Sequence, residues 1–138
     1  MKDLTLIIPA KNESESLPKV LDELKKYPYN IFIVLHESDK KTINSIQHHN
    51  VNIIYQKNFG YGDALIEGIN KCESKYFCIF NADGSFNPKE ISSMIDKTIN
   101  ENLDFLFASR YQNNSGSEDD TIVTLIGNYF FTLVGKIF

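Results

Sequence analysis

The chain has 138 residues, 42% hydrophobic and 23% charged, with a net charge of −4. That length suits one domain with a proper core. The acidic balance argues against a nucleic-acid partner, which needs a basic face. Cys72 and Cys78 form no paired CxxC arrangement, so neither a zinc site nor a disulfide framework is indicated. Lys2 and Asp3 lead straight into a strand pattern rather than a signal-peptide core, and a cytoplasmic location is the expectation.

In chain order, Leu4 to Ile8 is a short apolar run closed by Pro9 and predicts a first strand. Ser14 to Tyr27 carries Leu17, Val20, Leu21 and Leu24 at helical spacing, with Ser14 or Ser16 as cap and Pro18 in the first turn. Ile31 to Leu35 predicts a second strand, a short helix passes through Ile43 and Ile46, and Val51 to Tyr55 predicts a third strand. Gly60-Tyr61-Gly62 breaks the chain before a helix over 63–71 with Leu65, Ile66 and Ile69 facing inward. Tyr76 to Phe80 is a fourth strand, Pro88 opens a helix through Ile91, Met94, Ile95 and Ile99, and Leu103 to Ala108 is a fifth strand. Such alternation implies βαβ units: an α/β fold of three α/β/α layers around a mostly parallel sheet.

Residues 113–120 lie in a polar, turn-rich stretch that reads as a mobile surface loop. Residues 121–138 hold no acid and one base, Lys136, among many apolar side chains. Eighteen residues are marginal for crossing a bilayer. A core-packing helix, an interfacial helix at a membrane, or the start of something longer all fit. The expected organisation is a substrate-binding domain over 1–112, the loop, and this apolar segment as a membrane contact or dimerisation element.

The most informative stretch is Phe80-Asn81-Ala82-Asp83-Gly84-Ser85. A carboxylate just past an inner strand stands where open α/β sheets build ligand sites. With a neighbouring oxygen donor it can hold Mg²⁺ or Mn²⁺, and the cation can hold a diphosphate. Asn12 and Glu13, just beyond the first strand, can hydrogen-bond a base or ribose. Gly60 and Gly62 precede a helix whose N-terminus favours phosphate. Arg110 is the lone arginine among 14 basic residues. Its fixed fork of donors suits phosphate in a way lysine cannot copy.

Four segments together resemble a known family. Ile8-Pro9-Ala10-Lys11-Asn12-Glu13 resembles the V-P-x-x-N-E opening of family 2 inverting glycosyltransferases of the GT-A fold. Asn58-Phe59-Gly60-Tyr61-Gly62-Asp63-Ala64 resembles their N-x-G-x-G-x-A segment, Asn81-Ala82-Asp83 their D-A-D metal motif, and Ala108-Ser109-Arg110-Tyr111 their G-S-R-Y. The branch that uses polyprenyl-phosphate acceptors, dolichol-phosphate mannosyltransferase among them, is the most similar. The resemblance implies transfer of a sugar from a nucleotide-diphosphate sugar to such an acceptor, with inversion. It implies donor contacts from Pro9, Ala10, Asn12 and Glu13, from Asn58, Gly60 and Gly62, and from Ala82. Either Glu37 or Asp39 stands for the acids that hold the nucleotide after the second strand. Asp83, Asn81 and Ser85 would hold the metal, with Asn81 where the family has an aspartate. Asp83 and Arg110 would be catalytic, Arg110 through the acceptor phosphate. His36 reads as a rim residue, not a base. A catalytically silent nucleotide-sugar-binding or interaction domain on the same fold is the alternative.

Overall fold

A computed structural model describes residues 3–108. The expectations for Arg110, the loop 113–120 and the apolar segment 121–138 therefore lie outside the described residues. The elements are β1 (Leu4–Pro9), α1 (Leu17–Leu24), β2 (Asn30–Leu35), α2 (Lys40–Ser45), β3 (Asn52–Tyr55), α3 (Tyr61–Lys71), β4 (Tyr76–Ile79) and α4 (Glu90–Asn100). The chain divides into two compact units, Met1–Ser93 and Met94–Phe138.

In the first unit the four strands are all parallel, in the order β3-β2-β1-β4. Strands of a parallel sheet are covered on both faces and read as unbroken apolar runs. β1 fits this, with Leu4 to Ile8 all buried. Its one polar member, Thr5, is satisfied by Ser74 Oγ at 2.7 Å and by the Asn30 side-chain amide at 3.1 Å. The steps β1–α1–β2 and β2–α2–β3 run one way, and β3–α3–β4 runs back across the sheet. Right-handed crossovers then place α1 and α2 on one face and α3 on the other. α1 buries Leu17, Val20, Leu21 and Leu24, the stripe expected from their spacing, with a proline in its first turn.

α3 departs from the expectation. Ile66 is 60% and Ile69 37% exposed, and the buried positions are Ala64 and Gly68. Small residues four apart let the helix lie close to the sheet, against Ile7 and Val34. A Cβ on Gly68 would stand 2.6 Å from Ile7 Cγ2 and 3.0 Å from Val34 Cγ2. Both obstacles belong to β-branched side chains, which are stiff at χ1. Apolar count alone had put the isoleucines inward; the space available admits only the small pair.

This makes a prediction. Gly68→Ala gains about 1 kcal/mol of helix propensity but overpacks the core, which costs about 1–3 kcal/mol. We expect a net loss of roughly 1 kcal/mol, read as a lower urea midpoint at unchanged slope. An equal or higher midpoint would refute the close approach.

In the second unit, α4 ends where Leu103 N–H reaches the Thr98 carbonyl at 2.9 Å and Asn102 takes a φ of 50°. The expected fifth strand over 103–108 does not form among the described residues. Phe105 and Phe107 alternate as a strand would require, yet they stack on each other at 6.4 Å and stand 77% and 83% exposed. Alternation supplies a face, but a strand exists only through a ladder with a neighbour. No neighbour pairs with it among the described residues.

Candidate functional site

A cleft of about 790 Å³ opens at the carboxyl ends of the four strands. Its wall takes residues from the loops after β1, β2, β3 and β4. This is the edge at which open α/β sheets bind ligands, and the reversal of strand order between β1 and β4 lies under it.

The loop after β1 is held from the side. Ala10 N–H continues the ladder to the Val34 carbonyl at 2.9 Å. The chain then turns at Asn12, whose φ of 60° lies in the left-handed region. Asn12 N–H donates to Asp39 Oδ2 at 2.7 Å, and Glu13 N–H donates to Thr42 Oγ1 at 3.0 Å. Asp39 also caps α2, its Oδ1 accepting from Thr42 N–H at 3.2 Å. One carboxylate thus starts a helix and fixes the neighbouring loop. Partial burial works to raise the Asp39 pKa; the hydrogen bonds from Asn12 and Thr42 outweigh it and hold the carboxyl below its ordinary value. Glu13 accepts from the Ser16 hydroxyl and faces the cleft.

The loop after β3 is organised by Gln56, which is buried and donates to the Gly60 carbonyl at 3.1 Å and to the Asn58 carbonyl. Gly60 has a φ of 123°, a conformation that L side chains rarely adopt. Asp63, in the first turn of α3, accepts from both the backbone N–H of Asn58 at 2.9 Å and its side-chain amide at 3.0 Å. Those two bonds, the side-chain one foremost, hold the Asp63 carboxyl below its ordinary value. The positive end of α3 therefore already has an anion beside it. Phe59 reaches across to stack on His36 at a centroid distance of 4.1 Å and an angle of 24°.

The loop after β4 carries the carboxylate. Phe80 is buried and meets Phe86 edge-on at 5.6 Å, anchoring both ends of the loop. Asp83 lies on the cleft wall with Asn81 and Ala82. Its Oδ1 accepts from Ser85 N–H at 2.9 Å, and Asn81 Nδ2 donates to Ser85 Oγ at 3.1 Å.

Of the residues expected from sequence, Pro9, Ala10, Asn12, Glu13, Gly60, Asn81, Ala82 and Asp83 share this cleft. Asn58, Gly62 and Ser85 lie beside it and do not line it; Asn58 is spent on Asp63 and Ser85 on the turn of Asp83. Glu37 is exposed and off the wall, because the turn after β2 closes from Asp39 N–H to the His36 carbonyl at 3.0 Å and presents Asp39 instead. His36, Gln56, Phe59 and three lysines (Lys11, Lys40 and Lys41) are lining residues that sequence reasoning did not select. Phe59 lies within the segment Asn58 to Ala64 that resembles N-x-G-x-G-x-A, and Asp39-Lys40-Lys41 has the form of a helix start.

Among the described residues no group of three or more His, Cys, Asp or Glu side chains converges on one point. On the cleft wall the β4 loop offers one carboxylate, Asp83, and one side-chain amide carbonyl, Asn81. Hard oxygen donors suit Mg²⁺ or Mn²⁺, and Mg²⁺ commonly takes one or two carboxylates and fills the rest of its shell from phosphate and water. The set fits a cation that arrives with a diphosphate and does not fit an all-protein cage.

The sequence pattern of glycosyl transferase family 2 matches residues 5–136. The chain belongs to that family. Its parallel α/β sheet agrees with the GT-A fold expected of such a domain. Among its relatives is an uncharacterized protein of Methanocaldococcus jannaschii, 27% identical over 92% of this chain and 54% of that one. Another is the UDP-N-acetylglucosamine–dolichyl-phosphate N-acetylglucosaminyltransferase of Methanococcus voltae, 29% identical over 92% of this chain and 59% of the enzyme. An undecaprenyl-phosphate 4-deoxy-4-formamido-L-arabinose transferase of Yersinia enterocolitica is 25% identical over 69% of this chain and 33% of its own length. The chain spans little more than half the length of the first two. No helix among the described residues is long and apolar enough to cross a membrane.

Proposed function

We propose that this family 2 domain transfers a sugar from a nucleotide-diphosphate sugar to a polyprenyl phosphate, with inversion and with Mg²⁺ or Mn²⁺ at Asp83. The observation that carries the reading is that one cleft, on the carboxyl edge of the sheet, joins the Asn12–Glu13 loop to the Asn81–Asp83 loop. The names of two relatives, each a polyprenyl-phosphate transferase, support a polyprenyl phosphate as the acceptor.

In this reading Asn12 and Glu13 orient the nucleoside. Asp83, with Asn81 beside it, would hold the cation, and charge on the departing diphosphate would be neutralised there. Lys11, next to the β4 loop across adjacent strands, adds a positive charge at the phosphates. The acceptor is a phosphate monoester whose second ionisation lies near about 6. It is an anion at neutral pH, so attack on the anomeric carbon from the face opposite the diphosphate needs no strong general base. Arg110 is assigned to that acceptor phosphate. The apolar composition of 121–138 suits a lipid surface, and we assign the domain to the cytoplasmic face of a membrane.

The test is a panel of UDP-, GDP- and TDP-sugars with Mn²⁺, first for binding by calorimetry, then for transfer to undecaprenyl and dolichyl phosphate. Binding of a sugar nucleotide followed by metal-dependent appearance of a glycosylated lipid supports the proposal. The single carboxylate at the β4 loop also favours a second reading, a domain that binds sugar nucleotides without turning them over. Tight binding with no transfer and no donor hydrolysis would select it.

A further inference from the structure

The cleft contains an aromatic pair that the reading above leaves unused. Phe59 is 72% exposed although it is a large apolar side chain on a loop, and it lines the cleft. One of its faces is covered by His36 at 4.1 Å. His36 is itself pinned: its Nδ1 lies 2.7 Å from Ser38 Oγ and accepts from Ser38 N–H at 3.2 Å. Gln56 holds the other side of the loop through the Gly60 carbonyl. A phenyl ring on an exposed loop would otherwise sample several rotamers. Here it is backed by a second ring held by Ser38, and most of its surface stays open to solvent.

We propose that Phe59 is the stacking plate for the base of a nucleoside diphosphate, with His36 as the positioning residue behind it. This deepens the transferase reading and rests on it. The placement follows from strand order. Phe59 follows β3 and Asp83 follows β4, at opposite ends of the row β3-β2-β1-β4. Three inter-strand steps of about 4.8 Å separate them by about 14 Å, roughly the reach of an extended nucleoside diphosphate. The β4 end holds the carboxylate fit for a cation and its phosphates. The β3 side of the wall (Gln56, Phe59, Gly60, Tyr61 and Ala64) carries no carboxylate for a cation, which leaves that end to the uncharged base. A plate of this kind selects for the presence of a base, not for which base, because every base offers a π face.

The chain has no tryptophan. Phe59→Trp therefore installs a single reporter at an exposed site. UDP or GDP with Mn²⁺ should quench its fluorescence saturably, and inorganic pyrophosphate with Mn²⁺ should not. Phe59→Leu should weaken UDP and GDP binding about tenfold, within the range that removal of a stacking aromatic gives, while pyrophosphate affinity stays as in the unmodified protein. His36→Ala should lose a large part of the same affinity, and His36→Phe should restore it by rebuilding the backing ring. Nucleotide binding that is indifferent to Phe59→Leu overturns the plate and leaves the transferase reading intact. So does a loss for pyrophosphate equal to that for UDP, which would mean that Phe59 shapes a phosphate site. A variant that binds nucleotides normally but raises only the KM for the lipid acceptor would overturn it too. Failure of the unmodified protein to bind any nucleoside diphosphate removes both proposals together.

Discussion

Replacing Asp83 with alanine should abolish Mn²⁺-dependent binding of the sugar nucleotide and lower transfer by about a hundredfold or more. A bound cation stabilises developing charge by several kcal/mol, and each 1.36 kcal/mol is about tenfold in rate. Asp83 is the only carboxylate that the β4 loop places on the cleft wall, and among the described residues no group of three or more His, Cys, Asp or Glu side chains could hold a metal in its stead. The substitution also removes the acceptor for Ser85 N–H. Asp83→Asn separates the two effects, since an amide oxygen can still accept that bond while lacking the charge. If Asp83→Asn binds the donor with full Mn²⁺ dependence, the carboxylate is only a turn former and the metal assignment fails. The companion change is Asn81→Asp, which adds a second charge in the same loop. It should lower the Mn²⁺ concentration needed for half-maximal binding. Both are read by calorimetry across a Mn²⁺ titration.

The strands and α1 were legible because their signals are local. An unbroken apolar run such as Leu4 to Ile8 has few uses other than an inner parallel strand, and the spacing of Leu17, Val20, Leu21 and Leu24 specifies one helix face. α3 was misread because burial there is set by clearance. Ala64 and Gly68 face inward since the helix sits on Ile7 and Val34, and no count of apolar residues reports that distance. Residues 103–108 show the converse: a strand-like pattern with no partner on offer among the described residues. In the site, the legible residues are those that follow strand ends directly, Pro9 to Glu13 and Asn81 to Asp83. Others act through contacts distant in sequence. Asp39, open as an alternative to Glu37, matters because it meets Asn12, and Phe59, which was not selected, because it meets His36. Glu37 and Asp39 were equivalent as letters; the turn closing at Asp39 N–H decided between them.

The Asp39 clamp yields the second large effect. Asp39→Ala should destabilise the protein by about 2–3 kcal/mol, summing roughly 1 kcal/mol for a lost helix cap and about 1.5 kcal/mol for a charge-assisted bond to the Asn12 N–H. It should also weaken nucleotide binding, because Asn12 and Glu13 lose the restraint that keeps them on the cleft wall. The two consequences are separable. Asn12→Gly relieves the left-handed strain at that position. Placed on the Asp39→Ala background it should recover part of the stability but none of the binding lost with the Asn12 side chain. The pH dependence has a definite sign. A carboxyl whose folded pKa is depressed contributes stability in full above its unfolded value and loses it as pH falls through the folded one. The Asp39 contribution should therefore be complete above the ordinary aspartate value of about 3.9 and decline below it. Asp22 and Asp63 are shifted in the same direction, so total stability against pH does not isolate Asp39. The difference between the unmodified protein and Asp39→Asn does. Urea midpoints that converge as pH drops from 5 toward about 3 are the expected result. A constant difference across that range would mean that the Asp39 charge contributes nothing, and that the clamp holds by hydrogen-bond geometry alone.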